Sequence, residues 1–374
     1  VAKIDKISTC ILDLPTIRGH VLSMATMVQQ SIVLVEIKFS DGSVGLGEGT
    51  TIGGLSYGAE SPESIQSAID TYMTPLLLGR DGDNINAAMC QIDRAVCGNS
   101  IARCAVETAL WDGLGKRQNM SVAQLFGGVV HRAMPVAWTL ASGNSSTDIE
   151  EAQEMIEIGR HNIFKLKIGK GSVRQDIAHV AAITHAVGDR ASIRVDVNQA
   201  WSLTDARWGI AGLEDIGVDL VEQPVVGTAV AALRSLTNNH KIAIMADEAL
   251  QGPQTALACV DAADVFAIKI AQSGGLQRAR EVISIAQAGG VGLYAGTMLE
   301  AGVGTAAALQ LFATVPDLAW GGELFGPLLF TDEILQTPIE YRDFCVHLPD
   351  GHGIGATLDQ DKVAFYQRGR SAKV

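Results

Sequence analysis

The sequence predicts a parallel β/α barrel preceded by an α+β domain, and three observations carry that prediction. Asp196, Glu222 and Asp247 each close a short apolar run, in RVDVN, DLVEQP and AIMADE, and they stand 26 and 25 residues apart. That is the length of one strand, one helix and two loops. The same beat reaches back 29 residues to Lys167 in FKLKI and forward 22 to Lys269 in VFAIKI, then 27 each to Gly296 in VGLYAG and Glu323 in WGGEL. Repeated βα periods of this kind build parallel barrels, whose strand ends converge on one mouth. A doubly wound open sheet has a similar period but spreads its strand-end charges along an edge instead of closing them into a ring. Finally, 374 residues exceed the about 250 that one barrel requires, so a second domain is expected.

The elements follow in order. Residues 1–50 read as antiparallel strands: QQSIVLVEIKF alternates, Asp41-Gly42 supplies a turn, and VGLGEG follows. TTIGGLSYG, residues 50–58, is a Gly-rich loop between strand and helix signals. Ser61-Pro62 offers an N-cap and an N1 proline, and helical patterning continues to about Arg117. An α+β domain over residues 1–128 therefore ends at Gly127-Gly128. AMPVAWTL, residues 133–140, is expected as the first barrel strand, and residues 129–335 form the barrel. The final stretch, 336–374, has strand and turn character without the beat and is expected to pack back on the first domain.

Composition excludes several classes. The hydrophobic fraction is 47% and the charged fraction 18%, as in ordinary globular proteins, and no apolar run approaches the about 18 residues of a membrane span. The start VAKIDKIST lacks a signal pattern, and Cys10, Cys90, Cys97, Cys104, Cys259 and Cys345 show no C-x-x-C spacing. The expectation is a cytoplasmic protein with free thiols and no membrane association. A net charge of −13 without a basic run argues against nucleic acid. An anionic ligand would have to be drawn by local charge.

An acidic residue ending one strand is commonly a helix cap or a solvated group. Three on successive strands are hard oxygen donors suited to Mg²⁺ or Mn²⁺, whereas no histidine or cysteine falls on the beat to favour zinc. Glu248, beside Asp247, and Asn198, on the strand face of Asp196, are candidate supporting partners. Lys165 and Lys167 share one face of FKLKI, and a covered barrel strand points such a pair into the mouth. Paired ammonium groups beside a divalent cation disfavour further positive charge, which lowers a lysine pKa toward the range of a general base, with Lys165 tuning Lys167. Lys269 approaches from the opposite side. A metal on three carboxylates flanked by lysines is suited to stabilising an enediolate formed by proton transfer beside a carboxylate.

The set K-x-K, D-x-N, E-Q-P, A-D-E and I-K-I at this spacing resembles the muconate-lactonizing subgroup of the enolase superfamily. The strings LDLPTIR, TIGGLSYG, NINAAM, AWTLASG, RHNIFKLKIG, RVDVNQAW, GTMLEAGVGT and ELFGPLL, spread over nearly the whole chain, resemble the muconate cycloisomerases in particular. The resemblance implies an α+β capping domain on a modified TIM barrel, (β/α)₇β. It implies Asp196, Glu222 and Asp247 as ligands of one Mn²⁺ or Mg²⁺, Lys167 as acid/base with Lys165 beside it, and Lys269 and Glu323 opposite. Ile52 and Tyr57 match the capping loop, Phe325 matches a pocket-lining position, and Asn198 joins them as a substrate-side candidate. A homo-octamer is implied as well.

The implied reaction is lactonization of cis,cis-muconate, a small dicarboxylate, to muconolactone through an enolate protonated by Lys167, in the degradation of aromatic compounds. Chloromuconate cycloisomerase is the alternative. Its members tend to carry Trp and Ile where Tyr57 and Phe325 stand here, yet VNQAW and AVCGN resemble that branch. The racemase subgroup needs a histidine that VGLYAGTM lacks, dipeptide epimerases carry Asp-x-Asp where this chain reads Glu323-Leu324-Phe325, and enolase and the o-succinylbenzoate synthases lack the long strings. Another lysine-base enzyme of the superfamily, or a barrel that binds metal or ligand without catalysis, is a further reading. Lys167 together with all three carboxylates speaks against a non-catalytic copy.

Overall fold

Near the amino terminus, β1 (Ile4–Val21), β2 (Thr26–Phe39) and β3 (Val44–Thr50) form an antiparallel sheet in that order, in a computed structural model that describes residues 1–21 and 26–369. The β2–β3 turn is made by Gly42 at φ 87°, with Asp41 accepting from the Ser43 amide at 3.0 Å. Helix Ser100–Gln118 lies on the sheet, and Gly45 and Gly47 of VGLGEG allow it to come close. A Cβ added at Gly45 or Gly47 would stand 1.9 Å from the carbonyl oxygen of Ala109 or Ala105. Ser61 caps the helix that starts at Pro62 in a reciprocal box with Ser64.

The AMPVAWTL segment does not form one strand. Its first part, β4 (Ala133–Pro135), pairs outside the barrel, and only β5 (Trp138–Leu140) enters it. Pro135 ends the first piece because it has no N–H for a further ladder bond, and Val136 then donates to Phe344 O. The barrel continues through β6 (Ile163–Lys167), β7 (Ser192–Asp196), β8 (Leu220–Glu222), β9 (Ala243–Ala246), β10 (Val265–Ile268) and β11 (Gly292–Ala295), all parallel neighbours in chain order. Each is followed by a helix, such as Val173–Val187 after β6 and Gly302–Phe312 after β11. The ring closes through Gly322, which bridges Val136 on one side and Ala295 on the other. The fold is thus a curled parallel sheet of seven strands carrying an antiparallel capping domain.

After the barrel the chain divides its contacts. β12 (Tyr341–Arg342) and β13 (Cys345–His347) complete a small sheet with β4. Farther on, Ile354 donates to Asp112 and Arg368 to Ile11 O, so the last described stretch lies on the capping domain. Residues 370–374 fall outside the described residues. Between the two domains, buried Glu48 of β3 accepts from the amides of Ala301 and Gly304, both at 2.7 Å, at the start of helix Gly302–Phe312. Burial pushes its pKa up to about 7, with the hydrogen bond from Thr50 opposing the rise.

Candidate active site

Register brings the polar strand ends side by side. Lys167 pairs with Asp196 and Asp196 with Glu222 across β6, β7 and β8, while Asp247 and Lys269 each stand one residue beyond β9 and β10. Glu323 directly follows the closing residue Gly322. A cleft is lined by these six, by Lys165 and Asn198, and by Ile52, Tyr57 and Phe325. All eleven residues named from the sequence therefore meet in one place. His20, Thr139, Thr297 and Leu299 complete the lining and were not among them. Thr139 stands level with Lys165 in the β5–β6 register, so the alternation of AWTL was a usable signal. Thr297 follows the beat residue Gly296. His20 and Leu299 carry no local pattern, since their places depend on how the domains dock.

The lysines are held by carboxylates. Lys165 Nζ donates to Glu222 at 2.8 Å, stands 3.5 Å from Asp196 and contacts Glu323. Lys167 Nζ donates to Asp196 Oδ2 at 2.5 Å and to Asn198 Oδ1 at 3.2 Å. Lys269 Nζ donates to Asp247 Oδ2 and to the Tyr57 hydroxyl, both at 2.7 Å, and sits 4.7 Å from the centre of the Tyr57 ring. The Tyr57 hydroxyl in turn donates to Asp247 Oδ2 at 2.9 Å.

These contacts raise the pKa of two of the three lysines. Burial disfavours the charge of Lys165, but Glu222, Glu323 and Asp196 outweigh it and hold its pKa well above the usual lysine value. Burial likewise opposes Lys269, yet Asp247, Glu323 and Glu222 push it up to about 12. Carboxylates outnumber ammonium groups here, so attraction decides the sign. Asp196 shows the reverse balance: burial would raise it, but Lys167 and Lys165 bring it down to about 2. Glu222 is raised by burial and then by Asp196. Glu248 is raised to about 8 by burial, then Asp247 and Asp196, and accepts from Asn198 at 3.3 Å.

Backbone strain fixes the ligand strands. Asn198 and Gln223 take φ of 44° and 35°, uncommon for side-chain-bearing residues. Gln223 Oε1 accepts from the Asp247 and Ala249 amides at 2.9 and 3.2 Å, tying the end of β8 to that of β9. Leu299, at φ 61°, is held from the capping sheet by Gln30, which donates to its carbonyl at 3.2 Å. Phe325 packs edge-on against Trp138 with ring centres 5.1 Å apart.

Among the described residues, no three His, Cys, Asp or Glu side chains stand as a ready-made metal-binding group. The donor set still fits a hard divalent cation. Glu222 Oε1 and Asp247 Oδ1 are buried with no hydrogen-bond partner among the described residues, a costly state for carboxylate oxygens. Asp196, Glu222 and Asp247 are the residues placed to hold such an ion.

Comparison with known proteins covers both domains. Residues 6–127 match the family described as mandelate racemase / muconate lactonizing enzyme, N-terminal domain, and residues 147–362 match enolase C-terminal domain-like proteins. A relative named muconate cycloisomerase 1-1, from Acinetobacter lwoffii, is 52% identical over 99% of this chain and 98% of its own. A chloromuconate cycloisomerase of Pseudomonas sp. strain P51 is 47% identical over 98% and 99%. The crystal structure of muconate lactonizing enzyme from Pseudomonas fluorescens complexed with muconolactone superposes with a TM-score of 0.97 at 49% identity, covering 98% of this chain and 100% of that one.

Proposed function

The chain belongs to the mandelate racemase / muconate lactonizing enzyme family, and from that premise we infer that it is an isomerase that converts cis,cis-muconate to muconolactone. The observation that carries this reading is the convergence of Lys167, Asp196, Glu222, Asp247 and Lys269 in one cleft. One substrate carboxylate adds across a double bond within the same molecule, and charge moves onto the other carboxylate. The carbon α to that second carboxylate then needs a proton. Lys167 is placed to give it: its side chain is 11% exposed, against 3% for Lys165 and Lys269. Lys165 is committed to Glu222 and Glu323, and Lys269 to Asp247 and Tyr57, so these two act by their positive charge.

A divalent ion on Asp196, Glu222 and Asp247 would act as a Lewis acid toward the carboxylate on which negative charge develops. Mn²⁺ or Mg²⁺ is the ion in this reading. Ile52, Tyr57, Asn198 and Phe325 form the substrate-side wall, with Tyr57 closing over the cleft. No described helix is long and apolar enough to cross a membrane; a cytoplasmic location and assembly as a homo-octamer belong to the same proposal. The test is loss of the conjugated-diene absorbance of muconate with added Mn²⁺ or Mg²⁺, compared with 2-chloro- and 3-chloromuconate. Faster turnover of a chlorinated substrate than of muconate would shift the assignment to the alternative, and no turnover of any would refute the reaction.

A further inference from the structure

β1 carries into the cleft one side chain that the reaction above leaves without a task. His20 is 1% exposed, and its Nδ1 has no hydrogen-bond partner among the described residues. Buried polar nitrogens are rarely left so, which marks the ring as a group awaiting a ligand. It lines the same cavity as Thr139, Lys165 and Lys167. Burial, then the charges of Lys167, Arg18 and Lys165, draws its pKa down to about 3, so the ring is a neutral imidazole with one N–H donor and one acceptor. Nearby Arg18 is already engaged: it donates to Glu151 at 2.9 Å and to Thr139 O at 3.0 Å.

A dicarboxylate has two ends. On the reading above, one end goes to the ion held by the carboxylates of β7, β8 and the end of β9. The other end must be held while its oxygen stays nucleophilic. An ammonium contact would draw charge from that oxygen, whereas a hydrogen bond from a neutral ring orients it with less loss of nucleophilicity. We propose that His20 is a substrate-binding residue whose ring N–H donates to the attacking carboxylate of muconate and aims it for ring closure.

The step balances without a co-reactant. The carboxylate oxygen bonds to C4, the C4–C5 π pair moves toward the free carboxylate, and Lys167 supplies the proton at C5. His20 transfers none.

This inference rests on the proposed reaction, so the experiment separates the two. His20→Phe and His20→Gln are assayed with muconate, and their binding of adipate, an unreactive six-carbon dicarboxylate, is compared with that of hexanoate by calorimetry. His20→Phe should lower kcat/KM about 10- to 100-fold, the effect of losing one hydrogen bond to a charged group. The wild-type preference for adipate over hexanoate should shrink about tenfold, while metal content stays unchanged. His20→Gln, which restores an N–H donor, should recover most of both. Wild-type kinetics in His20→Phe, or an unchanged adipate preference in both variants, would overturn the inference. A wild type that ignores muconate, with an adipate preference that shrinks in His20→Phe and returns in His20→Gln, would refute the reaction and keep His20 as a carboxylate anchor. If His20→Phe fails to fold, His20→Asn, another side chain with an N–H donor, takes its place, and an unchanged adipate preference there would again refute the role.

Discussion

On one wall of the cleft, Lys165 and Lys167 project from a single strand, and His20 lines the cavity within reach of their field. On the other, Lys269 stands alone at the end of β10, capped by Tyr57 from the loop after β3. The first wall is positive enough to help hold a histidine neutral. The second is negative enough to raise Glu248 to about 8, mainly by burial and the neighbouring Asp247. Three like-charged lysines thus differ by surroundings: Lys167 keeps an open path to the cleft, while Lys269 is sealed by a residue of the capping domain. On the proposed reaction, proton transfer belongs to the first wall and fixed charge to the second.

The carboxylates that join the walls provide the strongest way to break this arrangement. Asp196→Ala, Glu222→Ala or Asp247→Ala should abolish metal-dependent turnover, because each change removes both a candidate ligand and the counter-charge of a buried lysine. Chelation of the wild type should have the same effect on muconate turnover. Full activity with no metal detected by elemental analysis would remove the metal from the mechanism.

Next in size is the difference between the lysines themselves. Lys167→Met should retain fold and metal content but lose about 10² to 10⁴ in kcat, the usual contribution of a positioned acid or base. In the wild type, solvent deuterium should enter the carbon α to the free carboxylate of muconolactone, and Lys167→Met should not exchange that position. Lys269→Met should slow the reaction while preserving exchange. If exchange survived in Lys167→Met and vanished in Lys269→Met, the walls would trade roles, and protonation would occur from the other face.

A smaller effect tests the seal. Tyr57→Phe deletes the hydroxyl shared by Lys269 and Asp247, so KM for muconate should rise by about tenfold, with a lesser change in kcat, as expected for one hydrogen bond in a charged setting. Amide exchange in residues 50–58 should slow with saturating muconolactone, because a loop with Gly53 and Gly54 at φ 60° and 64° can hinge over the cleft. Equal exchange with and without muconolactone would mean a static loop.

The two walls were not equally legible in the sequence. Lys165, Lys167, Asp196 and Asn198 follow from strand alternation and the βα beat, both local properties of the chain. Ile52, Tyr57 and Phe325 came from resemblance to a family, since nothing local places residue 57 beside residue 269. His20 escaped both routes because its position depends on the docking of β1 across the barrel. The split of AMPVAWTL was foreshadowed by Pro135, a poor residue for a central strand, and only the pairing of β4 with β13 shows where the first piece goes. The raised pKa values of Lys165 and Lys269 were not legible in the sequence, because strand spacing alone does not set buried Glu222 and Glu323 beside both.

The smallest expected effect probes the field of the first wall through stability. His20 titrates near 3 in the folded chain, against an ordinary value of 6.5. As pH falls through 6.5, the unfolded chain therefore takes a proton that the folded chain refuses, so stability declines between about 6.5 and 3. Above that window His20 contributes no pH dependence. At pH 5 the loss amounts to about 2 kcal/mol by linkage. His20→Gln cannot titrate, so urea unfolding of the variant and the wild type at pH 7 and pH 5 should diverge by that amount, with the wild type losing more. His161 is an internal control. It is drawn down to about 4 chiefly by burial, with its Val136 hydrogen bond opposing and Arg160 adding little, and its contribution should be the same in both proteins. A stability difference between wild type and His20→Gln that did not move with pH would show that His20 takes up a proton in the folded chain as readily as in the unfolded one. The wall beside Lys167 would then lack the positive, water-poor character that sets it apart from the wall of Lys269.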